Sequence, residues 1–439
     1  MRRRHNSRVY TLDASELTPV AGHVSVAYHH TVLVYGGYYA TRDRMAPLQR
    51  VERYRPPSLL YVYLIDYDRW LAFKTTGDVP PPSSGSCGVL HSDCLYVFGG
   101  FVYDDLSGYG HGSHKLYCLN LNTLEWKRVK TRSSKRPTPR HKMVGWTYDN
   151  CLYFFGGFGP PPSALDDRST SSPSGTRYIE SHCKFDSDDE LPYVSSWNNQ
   201  LLKFDVDTAT WSAVCTRGDV PSARAAHSVC RHNEHCVLVF GGRHCAHRLN
   251  DLYLFDHRYC LWSRIRCICD GPCGRSWHVM DRVAPGEFIL FGGFTTDNQP
   301  LDDVWQLSVD AEQRWRWRPL ARTGAARLWH TGVAVDGALY AYGGCNANIF
   351  QPVQHDNHDY CNDLLLVRRQ PRPLVNLCLD VVAASGRQWP ARALAACLPA
   401  SAQARVLFLR QQHQLERPQP KGNCATLAIT SLVDVVSVL

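Results

Sequence analysis

Long hydrophobic runs are absent from this sequence. No stretch reaches 18 apolar residues, so no membrane-spanning helix is expected. The basic N-terminal segment MRRRHNSRVY is not followed by the apolar region that a secretory signal needs. We therefore expect a protein of the nucleus, the cytoplasm or both that does not associate with membranes.

Dense clusters of charge are also scarce. The 48 Lys and Arg against 40 Asp and Glu give a formal net charge of +8, yet the densest basic run is only Arg2 to Arg4. This modest excess is compatible with an acidic partner group and does not predict nucleic-acid binding.

Metal-binding and catalytic patterns are missing as well. The 18 cysteines are scattered through apolar segments, so we expect reduced thiols. The cluster of Cys267, Cys269 and Cys273 has no second pair at a zinc-site spacing. Two histidine pairs fall in predicted loops: His111 with His114, and His244 with His247. No nucleophile or acid–base pair stands out, and Asp302-Asp303 is interpreted as loop charge. We predict a non-enzymatic protein without cofactor or metal.

The abundant feature is a repeat, an apolar segment that ends in a Gly-Gly pair. It occurs six times, at Gly36-Gly37, Gly99-Gly100, Gly156-Gly157, Gly241-Gly242, Gly292-Gly293 and Gly343-Gly344. Four copies also place a tryptophan seven residues after an apolar or aromatic residue, namely Tyr63 and Trp70, Leu119 and Trp126, Phe204 and Trp211, and Phe255 and Trp262. Repeats of about 50 residues with four short strands are typical of kelch motifs, which build β-propellers.

The repeat predicts an all-β fold, a six-bladed kelch β-propeller over about residues 8–369 with an insert at 158–197 in the third blade. The sixth copy lacks a fourth strand, and Val9–Leu12 is a candidate for it. We predict that this N-terminal strand closes the propeller by completing the sixth blade. The flanking regions are predicted to be a disordered N-terminus at 1–7, short helices at 370–410 and a weakly patterned tail at 411–439.

Residues that recur in the copies are interpreted as structural. Histidine precedes four of the Gly-Gly strands, at His23, His227, His278 and His330, and we expect these residues and the repeated tryptophans to pack between blades. Arg243 breaks the pattern. It follows a Gly-Gly pair at the position where the other copies carry Tyr38, Phe101, Phe158, Phe294 and Cys345.

Other polar residues that depart from the repeat are expected at the same place, the mouth of the central channel of the predicted propeller. Arg248 follows Arg243 in one loop, and Lys142 stands where later copies carry tryptophan. Arginine pairs bind a carboxylate or phosphate through bidentate hydrogen bonds. The sequence therefore favours an anion site, with solvated loop charges as the alternative. Ser276 is a further hydroxyl donor, and the candidate walls are Trp197, Trp277 and Trp329.

Several segments together resemble one family. They are TTGDVPPPSSGSCGVL, PSARAAHSVC, VFGGRHCAHRLNDLYLFD, GRSWH, LFGGFTTDNQPLDDVW, RLWHTGVA and YCNDLLL. Over about residues 10–400 the chain resembles the kelch domain-containing proteins 1 and 2, substrate receptors of cullin-2 RING ubiquitin ligases. The resemblance implies recognition of the extreme C-terminus of target proteins, typically ending in Gly-Gly, which are then directed to ubiquitination and proteasomal degradation.

The resemblance also implies roles for individual residues. Arg243, Arg248 and Ser276 would hold the terminal carboxylate. The rest of the pocket would be lined by Lys142, Trp197, Trp277 and Phe158. Two departures alter the expected terminal preference, because Phe158 replaces a tyrosine of the family's second member, and Ile349-Phe350 replaces a Leu-Leu pair.

After the propeller, PLVNLCLDVV fits an elongin-binding box, in which Leu374, Cys378 and Val382 share one helix face. Leu398-Pro399 fits the start of a cullin-2 box, although Ala402 is smaller than the apolar residue expected there. The implied partners are C-terminal degron peptides, elongin B and C, and cullin-2 with its RING subunit.

Two other classes of function remain open from the sequence. The chain could be a kelch scaffold that binds folded partners, transcriptional or cytoskeletal, through the third-blade insert without ligase coupling. A propeller-type copper oxidase is a more distant alternative.

Overall fold

The computed structural model describes residues 9–12, 16–42, 50–103, 110–133, 136–160, 195–349 and 360–368. Its regular elements there are β-strands, and six sheets surround a central channel. None of the residues in these ranges forms a helix long and apolar enough to cross a bilayer. The prediction of a kelch β-propeller is confirmed.

Each blade is an antiparallel sheet whose first strand lies nearest the channel. In the first three blades, from the channel outwards, the strands are Val24–Tyr28, Thr31–Tyr35, Leu59–Leu64 and Arg69–Lys74; Cys87–His91, Cys94–Phe98, Leu116–Asn120 and Glu125–Arg128; and Val144–Tyr148, Cys151–Phe155, Leu201–Asp205 and Thr210–Ala213. In the last three they are Ser228–Arg231, Cys236–His244, His247–Asp256 and Leu261–Ile265; Val279–Ala284, Glu287–Thr295, Pro300–Val309 and Trp315–Arg327; and Thr331–Val335, Ala338–Tyr342 and Leu364–Arg368.

Shorter strands extend the blades at one end of the channel and at the outer edges. At the channel end they are Tyr38–Arg42 with Arg50–Tyr54, Ser83–Ser84 with Phe101–Tyr103 and Gly110–Gly112, Phe158–Gly159 with Ser196–Trp197, and Arg275–Ser276. At the outer edges they are Val9–Leu12, Thr76–Gly77 and Arg217–Gly218.

The second strand of a blade is rich in apolar residues because neighbouring blades cover both of its faces. In Thr31–Tyr35 every residue is buried. Successive side chains of a strand point to opposite faces, so Leu33 packs in the core between blades 1 and 2. Val32 and Val34 pack in the core shared with blade 6. The repeated tryptophans are buried directly opposite their partners, as predicted for core residues, at Trp70, Trp126, Trp211 and Trp262.

A closed ring of backbone hydrogen bonds joins the six blades. One residue just before each innermost strand donates its N–H to the carbonyl of the equivalent residue in the preceding blade, over 2.7–3.0 Å. The ring residues are Gly22, Gly85, Lys142, Ala226, Trp277 and Trp329, and all six have a left-handed φ of 56–63°. The bond from Gly22 N–H to the Trp329 carbonyl joins the last blade to the first.

The repeated histidines pack between blades, as predicted. His23, His227, His278 and His330 directly follow ring residues and are all buried. The imidazole of each histidine lies against the first glycine of the preceding blade's Gly-Gly pair. A Cβ on Gly156 would lie 2.8 Å from Cε1 of His227 and 2.6 Å from the Arg224 carbonyl, which explains the glycine.

The N-terminal strand does not complete the sixth blade, and that part of the prediction is wrong. Val9–Leu12 pairs antiparallel with Arg69–Lys74 and becomes the fifth strand of blade 1. In this fold the segment that precedes a blade pairs with the outer edge of that same blade. The sequence repeat does not show this pairing. Thr76–Gly77 covers blade 2 and Arg217–Gly218 covers blade 4 in the same manner, although in parallel.

The interpretation of Asp302-Asp303 as loop charge is also wrong for Asp303. Its carboxylate accepts two hydrogen bonds from Arg275, at 2.7 and 2.8 Å, and the Arg275 side chain is fully buried. The same arginine donates to the carbonyl of Gly292 over 2.9 Å. Blades 4 and 6 repeat this arrangement with Arg224–Asp251 and Arg327–Asp363.

The predicted segments 1–7, 370–410 and 411–439 and most of the insert at 158–197 lie outside the described residues. The fourteen described cysteines form no disulfide. Within the described part of the chain, no group of three or more His, Cys, Asp and Glu side chains could hold a metal ion.

The Arg275–Asp303 pair supplies a stability prediction. Asp303→Ala leaves a buried guanidinium without its counter-charge, so we expect the free energy of unfolding to fall by about 3–5 kcal/mol. Asp302→Ala is the matched control, because its partner Arg322 is 77% exposed and the expected cost is at most about 1 kcal/mol. Thermal and urea unfolding would measure both. Equal destabilisation by the two variants would contradict the assignment.

Candidate functional site

The candidate site forms where the blades meet the channel. In every blade the residue after the Gly-Gly pair is bridged to the residue that precedes the ring position. The pairs are Tyr38 with Ala21, Phe101 with Ser84, Phe158 with His141, Arg243 with Ala225, Phe294 with Ser276, and Cys345 with Leu328. The six positions equated from the sequence therefore surround one mouth, and Arg243 is the cation among them.

Arg243 and Arg248 face each other across a hairpin of blade 4. Cys236–His244 runs into a tight turn and returns as His247–Asp256, which makes the two arginines direct cross-strand partners. Arg243 donates from Nε to the Cys245 carbonyl over 2.9 Å. Its Cζ lies 5.8 Å from the ring centre of Trp197, so its guanidinium is held against an aromatic wall.

Arg248 is buried and oriented by blade 5. Its Nε donates to Ser276 Oγ over 3.0 Å, and its Cζ lies 4.5 Å from the ring centre of Phe294. Burial, followed by repulsion from Arg243, lowers the pKa of Arg248 to about 10. Its Nη2 is buried and has no hydrogen-bond partner among the described residues. A buried cationic donor of this kind is suited to an incoming anion.

Lys142 occupies the ring position of blade 3, and its side chain reaches across the ring toward the ring residues of blades 5 and 6. Its Nζ lies 5.4 Å from the ring centre of Trp277 and 5.0 Å from that of Trp329. Burial, followed by repulsion from Arg243, lowers the pKa of Lys142 to about 8. Within the described residues neither Lys142 nor Arg248 forms an ion pair with a carboxylate.

Aromatic side chains close the sides of the mouth. Trp197 packs edge-on against Phe158 with ring centres 5.0 Å apart. Trp277 and Trp329 are stacked at 5.1 Å, and Trp277 reaches Phe294 at 6.1 Å. Ile349 packs in the same cluster, whereas Phe350 lies outside the described residues.

A cavity of about 810 Å³ extends from this mouth over blades 1–3. Lys142 and Phe158 line the part nearest the arginines, and Trp329 lies between Lys142 and Tyr38. The cavity continues past Tyr38, Glu52, Tyr54, Phe101, His111 and His141. Burial, and then the charge of Lys142, holds the pKa of His141 well below its usual range, so this imidazole is neutral at physiological pH.

All seven candidate peptide-binding residues thus lie around the mouth in linked contacts. Sequence reasoning did not identify Phe294 as a contact of Arg248, or Tyr54 and Glu52 as residues that line the cavity. Phe294 could have been found by extending the comparison of the residues that follow the six Gly-Gly pairs. No pattern marks Tyr54 and Glu52, because the segment that contains them has no counterpart of the same length in the other repeats. The candidate elongin-binding and cullin-binding residues lie outside the described residues: Leu374, Cys378, Val382, Leu398 and Pro399.

The chain is similar to known proteins. The family model described as the KLHDC2/KLHL20/DRC7 Kelch-repeats domain matches residues 22–284 and 192–353. Kelch domain-containing protein 2 of Bos taurus is 34% identical, with 82% of this chain and 84% of the relative covered. Kelch domain-containing protein 1 of Mus musculus is also 34% identical, with 82% and 83% covered.

A solved structure supports the fold alone. The structure titled "Structure of YjhT" matches with a TM-score of 0.55 and 14% identity, covering 80% of this chain and 95% of the other. Both the family model and the relatives span the propeller that carries the basic mouth. The chain belongs to the family of the kelch domain-containing proteins 1 and 2.

Proposed function

We propose that this protein is the substrate-recognition subunit of a cullin-2 RING ubiquitin ligase and binds C-terminal degrons through their free carboxylate. The observation that carries the proposal is the Nη2 of buried Arg248, which has no hydrogen-bond partner in the described part of the chain. Arg243 lies close enough to lower the pKa of both Arg248 and Lys142. A peptide carboxylate brings two acceptor oxygens and one negative charge to this point.

The chemistry of the mouth favours a carboxylate at the end of a chain. Arg248 is already oriented by Ser276, so little side-chain entropy is lost when an anion accepts its remaining hydrogen bonds. Burial strengthens each charge-assisted bond to about 1.5–3 kcal/mol. Aromatic pairs, Trp197 with Phe158 and Trp277 with Trp329, flank these cations, and the resemblance to the family supports a preference for terminal Gly-Gly.

In this proposal the chain has no catalytic role and acts by positioning the target. Leu374, Cys378 and Val382 dock into elongin C, and Leu398-Pro399 contributes to cullin-2 binding. Ubiquitin transfer is then performed by the partner subunits. The protein acts in the nucleus, the cytoplasm or both.

A second candidate function is a scaffold for folded partners, and one observation favours it. Phe158–Gly159 pairs with Ser196–Trp197, so both ends of the third-blade insert meet at the mouth. Replacing residues 161–194 by a short Gly-Ser linker separates the two functions. Loss of a folded partner with retained peptide binding supports the scaffold, whereas unchanged recruitment of targets supports the degron receptor.

Peptide binding tests the carboxylate site directly. We expect Arg248→Ala or Arg243→Ala to weaken binding of a Gly-Gly-ended peptide by about 10- to 100-fold, because a charge-assisted bond to the ligand is lost. Fluorescence anisotropy measures the affinity, and Arg318→Ala, an exposed arginine of blade 5, is the control. Equal affinity for free-acid and amidated peptides would overturn the proposal.

The lowered pKa of Lys142 predicts that affinity depends on pH. Below pH 8 the lysine is already charged, and binding needs no proton uptake. Above pH 8 it is neutral in the free protein and must gain a proton to pair with the carboxylate. We therefore expect the Kd to rise about tenfold from pH 7 to pH 9.

Lys142→Arg is the matched variant for this pH measurement, since arginine stays charged throughout the range. The rise in Kd should disappear in this variant and persist in Arg318→Ala. A pH-independent Kd in the unaltered protein would show that Lys142 does not contact the ligand.

Coupling to the ligase is tested separately. Leu374→Asp with Cys378→Asp should abolish co-purification of elongin B and C, because charges are placed on the proposed docking face. Peptide affinity should be unchanged, since the propeller is unaltered. Asp380→Asn, within the same segment, is the control. Full elongin binding by the double variant would contradict the elongin assignment.

A further inference from the structure

The 810 Å³ cavity has chemically different ends. One end carries Lys142 beside the two arginines of the mouth. The other end lies over blade 1, where Tyr38 packs 5.4 Å from Trp329, 5.8 Å from Tyr54 and 5.7 Å from Tyr360, measured between ring centres. The electron-rich faces and hydroxyl groups of these tyrosines form a wall without a positive charge.

Glu52 stands at this aromatic end. It lies on Arg50–Tyr54, the strand that pairs with Tyr38–Arg42 just beyond the first Gly-Gly pair. Its Oε2 accepts a hydrogen bond from the Tyr54 hydroxyl over 3.1 Å, while the side chain is exposed to the cavity. Among the described residues that line the cavity, Glu52 is the acidic one and Lys142 is the basic one.

We propose that this end of the cavity selects peptides with an arginine or lysine a few residues before their C-terminus, and that Glu52 is the specificity-determining residue. The inference rests on the proposed function, because the cations at the other end set the direction in which a peptide lies. The upstream cation pairs with the Glu52 carboxylate and lies against the half-buried ring of Tyr54.

Two contributions of different origin favour the basic residue. A cation–π contact with tyrosine and an exposed ion pair each strengthen binding by up to roughly fivefold. An acidic residue at the same position is disfavoured by repulsion from Glu52, so attraction and repulsion act together in the selection.

The test measures the affinity of the full-length protein for a series of variants of one peptide. The parent is a neutral Ala/Ser decapeptide that ends in a free Gly-Gly, and a single arginine is moved through about the third to the eighth residue before the C-terminus. At one or two adjacent positions we expect arginine to improve affinity roughly five- to tenfold. Glutamate at those positions should weaken binding.

Two charge-neutralising variants serve as test and control. Glu52→Gln should bring the affinity for the arginine peptide to that for the neutral parent peptide, which removes the preference for arginine. Glu125→Gln neutralises an exposed acid on the outermost strand of blade 2 and should change neither quantity. Glu52→Lys should reverse the preference toward glutamate.

The outcomes separate this inference from the proposed function. If the neutral parent binds but arginine improves affinity at no position, or improves it equally in Glu52→Gln, the role of Glu52 is overturned. If free-acid and amidated parents bind equally, the carboxylate site itself fails. A position-dependent gain that requires Glu52 supports the inference.

Discussion

The ring of six backbone hydrogen bonds around the channel is the constraint on which the other features depend. It requires one residue per blade in the left-handed conformation. Glycine satisfies this conformation without strain, whereas Lys142, Trp277 and Trp329 adopt it with full side chains. Because the ring fixes their backbones, these three side chains are brought together at the mouth.

Repetition and departure from it have different physical meanings in this fold. The histidines and the glycine pairs recur because adjacent blades meet in the same geometry each time. Arg243, Arg248 and Lys142 do not recur, and their mutual repulsion and burial lower the pKa of Lys142 and Arg248. Positive charges that are buried close together repel one another, and an anion bound among them offsets that repulsion. This is the physical basis of the proposed carboxylate recognition.

Particular residues show where sequence reasoning was sufficient and where it failed. The equivalence of the residues after each Gly-Gly pair was correct, because a fixed offset within a repeat maps to a fixed position in a blade. The predicted pairing of Val9–Leu12 was wrong, because a short apolar strand can pair with any open edge. Asp303 was mistaken for a loop charge, since nothing local shows that a carboxylate will meet a buried arginine 28 residues away.

The sequence by itself determined the six-bladed β-architecture, its repeated core residues and the position of the odd cation Arg243. Periodic patterns carry this information because they reflect contacts that every blade makes. Only the tertiary structure decided that Arg248 is oriented by Ser276 of the next blade and that Lys142 lies over two tryptophans. It also placed Glu52 at the far end of the same cavity. These contacts join different blades, and their distances depend on how the ring closes.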